Sequence, residues 1–284
     1  METVNANDDI EEYYGSNQIL YNIFYSKGTN GLHYGFWYDG TMKVSDAIYN
    51  TNEFIMDILK INKYDKVLDA GCGVGGTSIY IAEKTGSKVT GINISYKQIE
   101  HARRLATKSK AHNLLDFYNY DFTKTDFDDE SYSKIFGIES ICHAFEKIDF
   151  LREAYRILKK GGKIVVVDGF LRKENLTSRE KEIYSKWLYG WGVPNLETLS
   201  TFRNDLKRAG FKNIKYYNKF DEIKKSRNRI FRFGFFGYPF SWILYKLGVI
   251  NKRMHDNTIS CMLQKKVFDN KDNIATYGVF VAEK

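Results

Sequence analysis

The stretch "KVLDAGCGVGGTSIYIAE", Lys66–Glu83, constrains this chain more than any other. A short apolar run meets four glycines within six residues, and a helical pattern follows at once. Glycine lets the backbone turn tightly and approach a ligand, and the start of a helix offers unpaired N–H groups. The pattern is strand, glycine turn, helix, with a small-molecule cofactor at the turn. Gly71, Gly73 and Gly76 also satisfy GxGxxG, so a dinucleotide fold and a nicotinamide-dependent oxidoreductase stand as one reading. Three features oppose it. Asp69 closes the strand just before the glycines, and that strand begins well into the chain. The second strand ends in "GINIS" without the acid that a nicotinamide ribose takes. An acid at the first strand's end suits a cofactor with an amino acid end, whose ammonium takes a counter-charge.

Around this turn, short apolar runs alternate with longer helical patterns, the signature of a mostly parallel sheet with helices on both faces. The strands are expected at "KVLDA", "KVTGIN", "LDFYNY", "SKIFGIE" and "GKIVVVD", with a helix from Ser95 to about Lys110. Ser95 and Gln98 are spaced as a capping box. After Asp168 come a polar, aromatic helical stretch, "SREKEIYSKWLYGWGVP", and an amphipathic helix, "TFRNDLKRAGF", ended by Gly210. A sixth strand, "NIKYYNKF", and a last one, "IATYGVFVAEK", complete a doubly wound, Rossmann-like α/β sheet of seven strands. The last strand alternates apolar and polar residues and is expected antiparallel, at or near the edge. We divide the chain into a helical N-terminal cap (1–64) and a core (65–284) carrying lid segments 170–200 and 221–273.

Composition narrows the classes. Hydrophobic residues at 43% and charged residues at 27% fit a globular protein, and 43 Lys+Arg against 35 Asp+Glu leave +8. That excess suits an anionic membrane surface, an anionic substrate or nucleic acid, and its scatter along the chain also suits a plain solvated surface. Cys72, Cys142 and Cys261 lie far apart with no CxxC pair, and five histidines are mostly isolated. No metal or disulfide framework is expected. The acidic, polar start lacks the pattern of a secretory signal, so a cytoplasmic setting is expected. "FGFFGYPFSWILYKLGVI" is interrupted by Pro239, glycines and Lys246, and reads as a segment that lies on a membrane and does not cross it.

"LDAGCGVGG" (Leu68–Gly76) and "LKKGGKIVVVDG" (Leu158–Gly169) resemble the first and fifth-strand motifs of the class I S-adenosylmethionine-dependent methyltransferases. The resemblance runs from Asp65 to Asp168. It implies that Gly71 and Gly73 carry the backbone beneath the cofactor's amino acid end, that Asp69 acts through ordered water or loop N–H groups, and that Asp121 and Phe122 meet the adenine. Where many members have an acid for the ribose, this chain has Asn93. The sterol, tocopherol and cyclopropane-lipid subgroup often has a neutral polar residue there and a glutamine on the next helix, which Asn93, Ile94 and Gln98 match. "IESICHAFEKIDFLREAYRILKKGG" (Ile138–Gly162) and "GLHYGFWYDGT" (Gly31–Thr41) are similar to stretches of the sterol and tocopherol C-methyltransferases. By that likeness His33, Tyr34, Phe36 and Trp37 cap the cofactor, and S-adenosylhomocysteine is the product.

Methyl transfer from a sulfonium is an in-line displacement, so an enzyme positions the acceptor, excludes water and handles a proton. Glu139, at the expected carboxyl end of the fourth strand, is the first candidate for a catalytic group, with His143 and Tyr34 beside it. The bland readings are a strand-end acid bonded to backbone or cofactor, a histidine packed against a helix start, and aromatics of a packed cap. "YSKWLYGW" and "RIFRFGFFGYPFSWILYKLG" would form an apolar roof suited to a lipophilic acceptor. Lys224, Lys225, Arg227, Arg229 and Arg232 would face headgroups or a diphosphate, with peripheral membrane contact through 224–250. A homodimer interface or self-packed helices are the alternative use of that roof. The sequence therefore points to C-methylation of a sterol, prenyl or quinol-like lipid, with N- or O-methylation of a polar metabolite as the alternative. A membrane- or RNA-binding module without catalysis ranks behind, and a nucleic-acid partner is not favoured.

Overall fold

The computed structural model describes residues 28–268 and 274–284. Seven strands form one sheet: β1 Lys66–Ala70, β2 Lys88–Ile92, β3 Leu115–Tyr118, β4 Tyr132–Ile138, β5 Leu158–Leu171, β6 Lys212–Asn218 and β7 Ala275–Glu283. Their order is β3-β2-β1-β4-β5-β7-β6. The first five run parallel, and β7 runs antiparallel to both β5 and β6. The expected seven-stranded, mostly parallel sheet is therefore present.

Both faces of the sheet are covered, and consecutive residues of one strand serve opposite cores. Val67, Val165 and Val279 join one buried cluster, while Leu68, Val166 and Phe280 join the other. The first core packs against α1 (Val44–Leu59), α2 (Gly76–Thr85) and α3 (Tyr96–Ala106). The second packs against α4 (Lys147–Ile157) and α6 (Leu199–Arg208). Two-sided cover explains why β7 is buried from Ala275 to Ala282 although its sequence alternates. It sits one place in from the edge, which β6 occupies.

Three further helices make the roof over the carboxyl ends of the strands: α5 Ser178–Trp191, α7 Lys224–Lys246 and α8 Lys252–Phe268. Glycine lets them approach. A Cβ on Gly190 of α5 would lie 2.1 Å from Ser260 Oγ and 2.4 Å from the Asp256 carbonyl oxygen of α8. On Gly234 of α7 it would lie 2.6 Å from Cys261 Cβ. Trp187 Nε1 then donates to Gln264 Oε1 at 2.8 Å across the α5–α8 seam.

Three expectations change. The helix expected over 95–110 spans only Tyr96–Ala106, and no capping box forms at its start. Gln98 is buried, and its side-chain oxygen instead accepts from Asn93 Nδ2 at 2.5 Å. A capping box does form on α5, where Thr177 and Glu180 exchange bonds of 3.3 and 2.8 Å. Arg227 does not face outward. It is buried, with its guanidinium 4.2 Å from the Phe220 ring centroid and 5.2 Å from that of Phe268.

Gly190→Ala should force α5 away from α8. A destabilisation of about 1–3 kcal/mol is expected, read as a lower urea midpoint at an unchanged slope.

Candidate active site

Two chambers meet beyond the carboxyl ends of the parallel strands, where an open α/β sheet binds its ligands. One, of about 320 Å³, lies over the glycine turn. The other, of about 180 Å³, lies under the roof. Leu32, His33, Glu139 and His143 border both and so form the wall between them.

The first chamber gathers all nine residues expected at a cofactor: His33, Asp69, Gly71, Gly73, Asn93, Ile94, Gln98, Asp121 and Phe122. Gly71 has φ +83°, and a Cβ there would lie 2.3 Å from Ser140 Cβ, so the turn after β1 admits only glycine without displacing the β4 end. Asp69 is buried, and its Oδ2 accepts from the Ser78 hydroxyl of α2 at 2.6 Å. Burial pushes its carboxyl up to about 7. At the far end Asn93 and Gln98 are bonded to each other, and Asp121 Oδ1 accepts from Thr123 N and Oγ1 at 2.8 and 2.7 Å. Phe122 packs edge-on to Phe150, with ring centroids 5.3 Å apart. Gly76 completes the enclosure. A Cβ on it would meet the Asn30 carbonyl at 2.5 Å, so the 29–31 segment rests directly on the start of α2. A backbone cradle without side chains, a buried acid and a polar far end fit S-adenosylmethionine.

Glu139 follows the last residue of β4 and has φ +50°, a left-handed conformation that costs a non-glycine residue about 1–3 kcal/mol. Its N–H donates to the Val167 carbonyl of β5 at 2.8 Å, which holds the conformation. Its Oε1 accepts from the Tyr277 hydroxyl at 2.6 Å and from the Tyr34 N–H at 2.8 Å. Burial outweighs both donors and, with the nearby Asp168 charge, lifts the Glu139 carboxyl to about 8.

The next residues form a short 3₁₀ turn, Ile141–His143. Asp168 Oδ2 accepts from the Cys142 N–H at 2.9 Å. The buried Lys147 ammonium donates to the carbonyls of Cys142, Ala144 and Asn195 at 3.1, 2.6 and 2.9 Å. Neither anchor stood out in the sequence, although Asp168 lies near the end of β5 as Asp69 lies near the end of β1. Burial pushes the Cys142 thiol well above its ordinary range, which leaves it protonated and poorly nucleophilic.

His143 Nδ1 lies 3.0 Å from the Gly192 carbonyl, which can only accept, so Nδ1 carries the hydrogen. Burial lowers the ring to about 4. The imidazole is therefore neutral, with its Nε2 lone pair intact. Tyr34 stands edge-on to Tyr277, with centroids 5.4 Å apart, and its hydroxyl oxygen accepts from Gln264 of α8. His33 Nδ1 lies 3.0 Å from the Tyr34 carbonyl and Nε2 3.4 Å from Thr77 Oγ1. Beyond the wall the second chamber is lined by Trp37, Trp187, Trp191, Ile230, Phe233 and Phe268, with Arg229 and Asp168 among them. Among the described residues no group of three or more His, Cys, Asp or Glu is placed to hold a metal ion.

The Glu139 shift predicts a pH dependence of stability. A raised folded-state pKa means that the native protein keeps a proton which the unfolded chain loses near pH 4.5, so the contribution of Glu139 falls as pH rises through about 8. Relative to wild type, Glu139→Gln should gain about 1–3 kcal/mol between pH 5 and pH 8, measured by urea unfolding. His143 runs the other way, with its contribution lost as pH falls from about 6.5 toward 4.

Residues 68–166 match the family described as "Methyltransferase domain". The chain is 32% identical over 209 residues to a sterol 24-C-methyltransferase of Saccharomyces cerevisiae, an alignment covering 71% of this chain and 54% of that enzyme. It thus spans about half the length of the curated relative it matches. Among solved structures, the cyclase SpnF superposes with TM-score 0.78 at 18% identity, covering 97% of this chain and 94% of that one. The geranyl diphosphate C-methyltransferase of Streptomyces coelicolor superposes with TM-score 0.73 at 16% identity, covering 100% and 99%. These two likenesses speak to the fold alone. The matched methyltransferase domain, the sheet order and the likeness to a sterol 24-C-methyltransferase are together consistent with a class I S-adenosylmethionine-dependent methyltransferase close to the sterol C-methyltransferase group.

Proposed function

We propose that this protein transfers a methyl group from S-adenosylmethionine to a carbon of a lipophilic small molecule of sterol, prenyl or quinol type, leaving S-adenosylhomocysteine. The observation that carries this reading is the position of Glu139, on the wall between a chamber shaped for the cofactor and a chamber lined by tryptophan and phenylalanine. In this reading residues 28–64 cap the site, and 170–200 and 221–268 form its lid; the remainder of the expected cap, 1–27, and of the expected lid, 269–273, lies outside the described residues.

The cofactor supplies a methyl group on a positively charged sulfur, and that charge favours the ionised form of a carboxyl held near it. The chain's residues do the rest. His33, Asp69, Gly71, Gly73, Asn93, Ile94, Gln98, Asp121 and Phe122 hold the cofactor. The aromatic chamber holds the acceptor and excludes water, which strengthens every charge interaction inside it. With an alkene acceptor, a carbon–carbon bond forms as the carbon–sulfur bond breaks, and the positive charge passes to the neighbouring carbon. The Glu139 carboxylate stabilises that cation and takes the proton whose departure restores the alkene. The Tyr277 hydroxyl and the Tyr34 N–H fix the direction of the carboxylate. The Tyr34 ring adds an electron-rich face to the site. His143 supports a second reading, because a neutral imidazole with its Nε2 lone pair intact is a fitting base for a phenol or amine. That reading is N- or O-methylation in the same chamber.

The reading is tested by incubating the protein with methyl-labelled S-adenosylmethionine and fractionated cell extract. Label should enter the lipid fraction, and Glu139→Gln should lower kcat about 100-fold or more while cofactor affinity stays within a few fold. Full turnover by that variant would remove Glu139 from the chemistry, and selective retention of NAD(H) would overturn the cofactor assignment.

A further inference from the structure

Half of the exposed large apolar side chains among the described residues fall within 235–249: Phe235, Phe236, Phe240, Trp242, Ile243, Leu244, Leu247 and Val249. They belong to the second half of α7 and the turn after it. Phe236, Phe240 and Leu247 are 69%, 70% and 71% exposed, values seldom tolerated side by side on a monomer surface. Phe236, Phe240, Ile243 and Leu247 recur at helical spacing, so they form one outward stripe. The opposite face of α7, with Arg227, Ile230, Gly234 and Ser241, is buried.

Charge indicates what meets this stripe. From 223 to 255 the chain carries eight Lys and Arg and not one Asp or Glu. Of these, Arg232 and Lys246 are exposed on α7, and Lys224, Lys225 and Lys252 are exposed near its two ends. The Lys246 ammonium lies 5.9 Å from the Trp242 ring centroid, which sets a cation beside an indole at one level. An apolar strip with cations at its margins is complementary to acyl chains under anionic headgroups, where Lys and Arg extend to the phosphate level. No described helix is long and apolar enough to cross a bilayer, so such a helix lies along the interface.

The first half of the same helix roofs the aromatic chamber through Ser226, Arg229, Ile230 and Phe233. One helix therefore has an exposed apolar strip at one end and lines the chamber at the other. We propose that α7 docks this protein on anionic lipid bilayers through the 235–249 strip. Buried Arg227 takes no part in the docking. Supply of the acceptor from that bilayer rests on the methyl-transfer reading; the docking does not.

The test uses the full chain without cofactor or acceptor, so its failure leaves methyl transfer standing. Co-sedimentation is measured with phosphatidylcholine vesicles and with vesicles of equal parts phosphatidylcholine and phosphatidylglycerol, at low and high salt. Binding is expected to the anionic vesicles, weakened by salt. Phe236→Glu with Phe240→Glu should reduce it more than about tenfold. Arg232→Glu with Lys246→Glu should weaken binding to the anionic vesicles and reduce its salt dependence. Leu247→Ser with Val249→Ser serves as a second apolar pair if the first perturbs folding by circular dichroism. Absence of binding to either vesicle would overturn the proposal, as would binding that neither apolar pair weakens. Self-association abolished by the same substitutions would overturn it too, because a second copy would then cover the strip.

Discussion

Much of this molecule depends on how one carboxyl group is held at the end of β4. Glu139 is half-buried, carries a left-handed backbone, and is held from three directions by Val167 of β5, Tyr277 of β7 and the Tyr34 backbone. Those partners come from the middle of the sheet, from its antiparallel return strand and from the segment ahead of β1. The position of β7 next to β5 is thus a requirement of the site as well as of the sheet. With β7 on the outer edge, the Tyr277 hydroxyl would not reach Glu139. The strain at φ +50° and the cost of burial are borne by a sheet covered on both faces.

The same economy of position links the two chambers. The turn after β1 must pass close to Ser140, which requires Gly71, and the 29–31 segment must lie on the α2 start, which requires Gly76. These contacts bring His33 and Leu32 to the wall that Glu139 and His143 complete. On the far side, Gly190 and Gly234 let α5 and α7 close over α8. Gln264 of α8 bonds both Trp187 of α5 and Tyr34, so the roof helices and the Glu139 network share a residue.

How far the sequence was legible follows from which of these features are local. The strands and the glycine turn are local patterns, and they lie where apolar runs and glycine spacing put them, with strand ends displaced by a few residues. All nine residues expected at the cofactor border one chamber because they lie at or just beyond the carboxyl ends of β1 to β3, or on the segments that follow or close over them. What stayed hidden was long-range. Tyr277 is 138 residues from Glu139 and sits in a strand whose alternation looked half-exposed. The Lys147 ammonium lies among three carbonyls, a placement that no local sequence pattern marks. The capping box at Ser95 failed because Gln98 had a buried partner in Asn93. Arg227 failed as a surface cation because two phenylalanine rings enclose it.

The central claim is that Glu139 responds to the charge on the cofactor's sulfur. Calorimetric titration at pH 7 in buffers of different ionisation enthalpy tests this by counting the protons released on binding. With a carboxyl raised to about 8 in the free protein, S-adenosylmethionine should release a substantial fraction of a proton more than S-adenosylhomocysteine, whose sulfur is uncharged, does. Glu139→Gln should erase the difference. Equal proton release by the two ligands in the wild-type protein, or a difference that survives the substitution, would contradict the account.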